Sequence, residues 1–116
     1  MSERFILHAE FLKACGHPTR LLILNELLAG VKCVTDIEDL LSVRQANVSQ
    51  HLSVLRHAKL VDFARDGALR CYYLTRPKLV RDLLRLLKRG DPVLKRTRGQ
   101  IAAQKRRDQK ASCAKA

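Results

Sequence analysis

Four cysteines and one run of amide and hydroxyl side chains hold most of the chemistry open to this chain. Cys15, Cys33, Cys71 and Cys113 are widely spaced and form no C-x-x-C pair. In a reducing compartment they are free thiols, able to pack, bind a soft metal or react. The run Gln45-Ala46-Asn47-Val48-Ser49-Gln50 has a different use. Gln and Asn can bond adenine through two hydrogen bonds, and Ser can bond a base or a phosphate. Arg44, just before it, suits a phosphate. Catalysis has no such footing. The chain has no Ser-His-Asp grouping, phosphate loop, His-x-x-x-His pair or paired catalytic carboxylates, and Asp36, Glu38 and Asp39 crowd one short segment.

Charge points the same way, though less directly than its total implies. The 116 residues carry 23 Lys and Arg against 11 Asp and Glu, so a polyanion is the first partner to consider. Residues 1–75 hold nine of those cations against eight acids, whereas residues 76–116 hold fourteen against three. Specific recognition in the front of the chain therefore cannot rest on bulk charge. Trp is absent and Phe and Tyr are few, so base stacking on aromatic platforms, the habit of single-strand binders, gives way to duplex binding. The longest aliphatic run, Leu21-Leu22-Ile23-Leu24, is far short of the roughly 18 residues of a membrane span. With no leader pattern at Met1-Ser2-Glu3-Arg4, an unprocessed cytoplasmic protein without a membrane partner is expected.

Prolines and glycines divide the chain into the elements that must position these groups. Phe5, Leu7, Phe11 and Leu12 predict a first helix over 3–14, closed by Gly16. His17-Pro18 opens a second that runs to Gly30, and a third covers 34–41. After the turn Ser42-Val43, a fourth helix spans 44–58 with Val48, Leu52 and Leu55 inward. The period then changes to two: 60–65 and 69–74 read as strands around a tight Asp66-Gly67 turn. Thr75-Arg76-Pro77 starts a fifth, Leu-rich helix ending at Gly90, and Asp91-Pro92 opens a basic, partly helical, solvated extension. The organisation expected is 1–90 as one domain and 91–116 as the extension. Two short helices followed by a hairpin are the parts of a winged helix-turn-helix: mainly α, five helices, a β-hairpin wing and the basic tail.

Within this frame the chain resembles the ArsR/SmtB-type winged-helix repressors over about residues 11–88. The resemblance rests on Leu12-Lys13-Ala14, His17-Pro18-Thr19-Arg20-Leu21-Leu22-Ile23-Leu24, Cys33-Val34-Thr35-Asp36-Ile37, the stretch Gln45 to Arg56, Arg65-Asp66-Gly67 and Tyr72-Tyr73-Leu74. Ser42 and Lys59 stand where the family has Gly, and Arg70 where it has an apolar strand residue. The resemblance implies a homodimer joined through its first and fifth helices, with two recognition helices about 34 Å apart on double-stranded operator DNA. Arg44, Gln45, Asn47, Ser49 and Gln50 are then its DNA contacts, although a plain solvated helix face would read the same. Arg65 and Arg70 flank the wing turn and reach phosphates or the minor groove, or simply solvate the hairpin.

The same resemblance implies a switch worked by metals, metalloids, or reactive sulfur and oxygen species. The places of the family's interface zinc ligands hold Arg76, Lys78, Arg89 and Pro92, and cations do not ligate a cation. The family's thiolate pattern Cys-Val-Cys-Asp reads Cys33-Val34-Thr35-Asp36, keeping the first thiol and the acid but losing the second thiol. Further donors to arsenite, antimonite or a soft divalent metal must come from elsewhere, Cys113 on the tail or Cys15 across a dimer. Within one subunit Cys15 and Cys33 are roughly 18 Å apart, beyond opposite ends of one helix. Cys33 with Cys113 is the pairing expected for redox or sulfur chemistry. A helix N-terminus and Lys32 are expected to lower the Cys33 thiol pKa, and Cys71 to lie against the sheet.

Overall fold

The computed structural model describes residues 2–41 and 45–115, with side chains over 2–41 and 47–111. Among them the chain forms helices α1 (Glu3–Cys15), α2 (Pro18–Leu28), α3 (Val34–Leu41), α4 (Gln45–His57), α5 (Pro77–Arg89) and α6 (Arg98–Lys115). Three strands complete it, β1 (Lys32–Cys33), β2 (Val61–Asp66) and β3 (Leu69–Leu74). The expected winged helix-turn-helix is therefore present, with two additions: a third strand, and a full helix in the basic tail. The Ser42-Val43 turn lies outside the described residues.

Local chemistry accounts for most of the boundaries. Pro18 sits in the first turn of α2, and the His17 imidazole caps it, Nδ1 accepting from the Thr19 amide at 3.0 Å. Cys33 precedes α3 and donates its amide to Asp36 Oδ2 at 3.2 Å, one arm of a capping box. At the end of α4, Leu60 N–H bonds Leu55 C=O and Lys59 N–H bonds Arg56 C=O, with Lys59 at φ 61°. This is a Schellman cap, and it forces a lysine into the left-handed conformation that glycine adopts more readily. Leu55 and Leu60 are both fully buried, supplying the apolar contact that accompanies such a cap.

The sheet is antiparallel in the order β1-β3-β2. Asp66 pairs with Leu69, so Asp66 belongs to the strand and the turn residues are Gly67 and Ala68. Gly67, at φ 63°, supplies the positive φ at the first central position, the requirement of a type II′ hairpin. Strand β1 has no counterpart in the sequence reading: it is two residues long and exists because Lys32 and Cys33 meet Tyr72 and Cys71.

The core gathers Ala14 and Cys15 of α1, Ile23, Leu24 and Leu27 of α2, Ile37 of α3, Val48, Leu52 and Leu55 of α4, Leu60, Val61 of β2, Tyr72 of β3, and Val80 of α5. The α4 residues are the three at helical spacing named from the sequence, all with no exposed surface. By contrast, α1 leaves Phe5, Leu7 and Leu12 more than half exposed, and α5 does the same with Leu86 and Leu87. Helix α6 stands away from this core, and the molecule measures 66 × 29 × 22 Å. Among the described residues no helix is long and apolar enough to cross a membrane.

Candidate nucleic-acid interface and thiol pair

Burial of Val48, Leu52 and Leu55 turns the other side of α4 outward, and Asn47, Ser49 and Gln50 are exposed on it. Of the other expected contacts on this helix, Gln45 begins α4, but its side chain lies outside those described, and Arg44 is outside the described residues altogether. Arg65 and Arg70 are exposed near the wing tip and directly opposite each other on β2 and β3. Like charges in that position repel, and an anion between them removes the cost. Arg70 does not interrupt the strand, since its pairing continues through Leu69 and Asp66. Its guanidinium lies 4.8 Å from the centre of the Phe63 ring, and that of Arg56 lies 4.6 Å from the same ring.

Between α4 and the wing runs a cleft of about 940 Å³. Its walls include Ser49, Ser53, Arg56 and His57 from α4, and Arg70 from β3. Lys59 and Arg76 add cations, and Asp62 is the acid that faces them. Asp62 is engaged by Arg56 at 3.0 Å, and the Phe63 amide together with that guanidinium holds its carboxyl below the usual carboxylate range. A front half of the chain that is nearly neutral overall is thus locally basic where α4 meets the wing. Ser53, Arg56 and His57 were not singled out from the sequence as contacts. Their spacing from Ser49, at i+4, i+7 and i+8, was the signal for one stripe of the helix.

The cysteines are arranged differently from the expectation. Cys33 and Cys71 are direct partners across β1 and β3, with Sγ atoms 2.6 Å apart. Both are half-buried free thiols. The Cys33 pKa is not lowered: the hydrogen bond to Cys71 is the main cause, followed by burial and the negative charge of Asp36 and Asp66, and together they push it up to about 11. The local argument from a helix N-terminus and Lys32 is overridden by a partner that arrives from the wing. Cys15 lies in the core at 4% exposure, and burial pushes its thiol up against the opposing effect of Arg20. Cys113 falls within α6 with its side chain outside those described. Asp36 is engaged in the cap on the Cys33 amide. Among the described residues no group of three or more His, Cys, Asp or Glu side chains is placed to hold a metal ion.

Residues 17–62 match the family model described as bacterial regulatory protein, arsR family. The chain is 38% identical over 86 residues to an uncharacterised HTH-type transcriptional regulator of Methanocaldococcus jannaschii, spanning 73% of this chain and 96% of that one. It is 37% identical over 81 residues to the biofilm growth-associated repressor of Agrobacterium fabrum, spanning 70% and 69% of the two chains. The crystal structure of the transcriptional repressor PagR of Bacillus anthracis superposes with a TM-score of 0.64 at 38% identity, over 72% of this chain and 95% of that one.

Proposed function

The chain belongs to the arsR family of bacterial regulatory proteins, and from that premise we propose a homodimeric repressor that reads duplex operator DNA and is released by a thiol-reactive inducer. The family consists of transcriptional regulators rather than enzymes. The observation that carries the DNA-binding part is the exposed row Asn47, Ser49 and Gln50 on a helix whose opposite side is fully buried, beside a basic cleft shared with the wing. Such a helix enters the major groove by its N-terminal turns, with the amides on base edges. Gln45 joins them at the base edges, and Ser53, Arg56 and Arg70 receive the adjacent phosphates, together with Arg44 and Arg65.

Dimerisation is supported by the apolar faces that α1 and α5 leave open, Phe5, Leu7, Leu12, Leu79, Leu86 and Leu87. A monomer gains nothing by exposing them, and a two-fold contact would cover both helices at once. It also sets two α4 helices about one DNA turn, ~34 Å, apart.

Release acts through Cys33, which sits at the start of α3, the first helix of the helix-turn-helix. Cys33 and Cys71 offer arsenite, antimonite or a soft divalent metal two sulfur donors side by side, and Cys15 or Cys113 would have to add a third. The adjacency of two thiols favours a second reading as strongly, an inducer that oxidises or transfers sulfur to them. A third reading, a ligand-independent architectural protein, draws support from the exposed cations of α6.

Binding of the natural promoter and a scrambled duplex separates these readings. A repressor should prefer its operator by at least ~10³, an architectural protein by a few-fold. Titration with arsenite, cadmium, zinc and a persulfide donor, on wild type and Cys33→Ser, then tests the switch. If none of them weakens wild-type binding, the thiol-reactive inducer is wrong.

A further inference from the structure

The thiol pair carries more than a place for an inducer. Cys33 and Cys71 face each other in register across an antiparallel pair and are 38 residues apart in sequence. Partners in that position have Cβ atoms about 4.5–5.5 Å apart, and a disulfide needs about 3.5–4.5 Å, so bonding requires only a small closing movement. Strand alternation puts Cys71 on the face opposite Tyr72, away from the core. Both thiols retain part of their surface, so a small oxidant can reach them. Strand β1 is held to β3 by only two residue pairs, Lys32 with Tyr72 and Cys33 with Cys71.

We propose that Cys33 and Cys71 form an oxidation site, at which a hydroperoxide converts the two thiols into an intrachain disulfide that staples β1 to the wing. One sulfur attacks the peroxide, breaking its O–O bond and releasing one alcohol or water, and becomes a sulfenic acid. The other sulfur attacks that centre, the S–S bond forms, and the hydroxyl leaves as water with the second thiol proton. Two electrons pass from the thiols to the peroxide. The loop closed contains α3, α4 and β2, the whole reading head. Val34 and Thr35 follow Cys33, and Leu69, Arg70 and Tyr72 surround Cys71, all of them lining the cleft. The bond therefore ties the start of α3 to β3, two of the segments that supply cleft residues. The hydrogen bond that keeps Cys33 protonated makes the reaction slow at neutral pH and faster as the pH rises.

This extends the thiol-responsive reading, and the experiment separates the two because it needs no DNA. The reduced full-length chain is treated with hydrogen peroxide, alkylated and digested with trypsin, which cuts after Lys32 and Arg70. The peptides that begin at Cys33 and Cys71 are expected joined, with a mass loss of about 2 Da. The melting temperature should rise by at least about 5 °C and return on reduction with dithiothreitol. Cys33→Ser and Cys71→Ser should each lose both effects. Bonds from Cys33 to Cys15, to Cys113 or between protomers overturn the proposal, as does an unaltered peptide map. A chain that prefers its operator when reduced but never forms this bond leaves the repressor standing and the staple wrong. The reverse result leaves the staple standing alone.

Discussion

Arg20 ties α2 to α4 through His51: its Nη1 lies 3.3 Å from His51 Nδ1, while its Nε donates to the Ala14 carbonyl at 2.6 Å. The His17 ring, which caps α2, lies 4.4 Å from the His51 ring. Helix α4 is thus oriented from behind by one guanidinium and two imidazoles. Since Arg can only donate, His51 must present a bare Nδ1, which requires the neutral ring.

That requirement makes stability depend on acid. Burial first, then His17 and Arg20, lower the His51 pKa below its ordinary 6.5. The unfolded chain then binds the proton more readily, so the contribution of His51 is complete above about pH 6.5 and is lost as pH falls toward the folded value. Thermal melts from pH 7.5 to 5.5 should show the midpoint falling, and His51→Gln should flatten that dependence. An equal slope in the variant would remove His51 from the account.

Lys59 occupies the left-handed conformation at the end of α4. Relieving it should help. Lys59→Gly is expected to stabilise the fold by about 0.5–1 kcal/mol in urea denaturation, after the entropy glycine loses on folding is set against the strain removed. Lys59→Val, branched at Cβ, should destabilise.

The thiol hydrogen bond can be read by labelling. Removing it with Cys71→Ala should let the Cys33 pKa fall from about 11 toward 9.0. Alkylation of Cys33 by iodoacetamide at pH 8 should then quicken on the order of tenfold, the gain in thiolate being partly offset by its weaker nucleophilicity. No change would mean that Cys71 does not hold the proton.

Base and phosphate contacts should separate by sequence dependence. Asn47→Ala is expected to cost about 1–3 kcal/mol on the operator and to relax preference at one base pair. Arg70→Ala should weaken operator and scrambled duplex alike, while in the free protein the relief of its repulsion from Arg65 is offset by loss of its contact with the Phe63 ring.

Deleting residues 91–116 should flatten the dependence of binding on salt by several units of slope while leaving operator preference in place. An unchanged slope would make α6 a solvated helix with no part in holding DNA.

What the amino-acid order determined is local. Helical spacing placed Val48, Leu52 and Leu55 in the core, Pro18 and Pro77 opened helices, and Gly67 marked the hairpin. The tail was read as only partly helical, and the local signal that starts α6 was passed over: Thr97 and Gln100 form a reciprocal capping box, with bonds of 2.9 and 3.2 Å. All of these interactions join residues a few positions apart, so periodicity and capping chemistry suffice to find them. The tertiary structure decided β1, the basic cleft between α4 and the wing, and the partner and proton affinity of Cys33. Each depends on where β3 comes to lie after the chain has passed through α3, α4 and β2. Cys33 beside Lys32 at a helix start is an acidic thiol by its neighbours in sequence, and Cys71, 38 residues on, makes it a reluctant one.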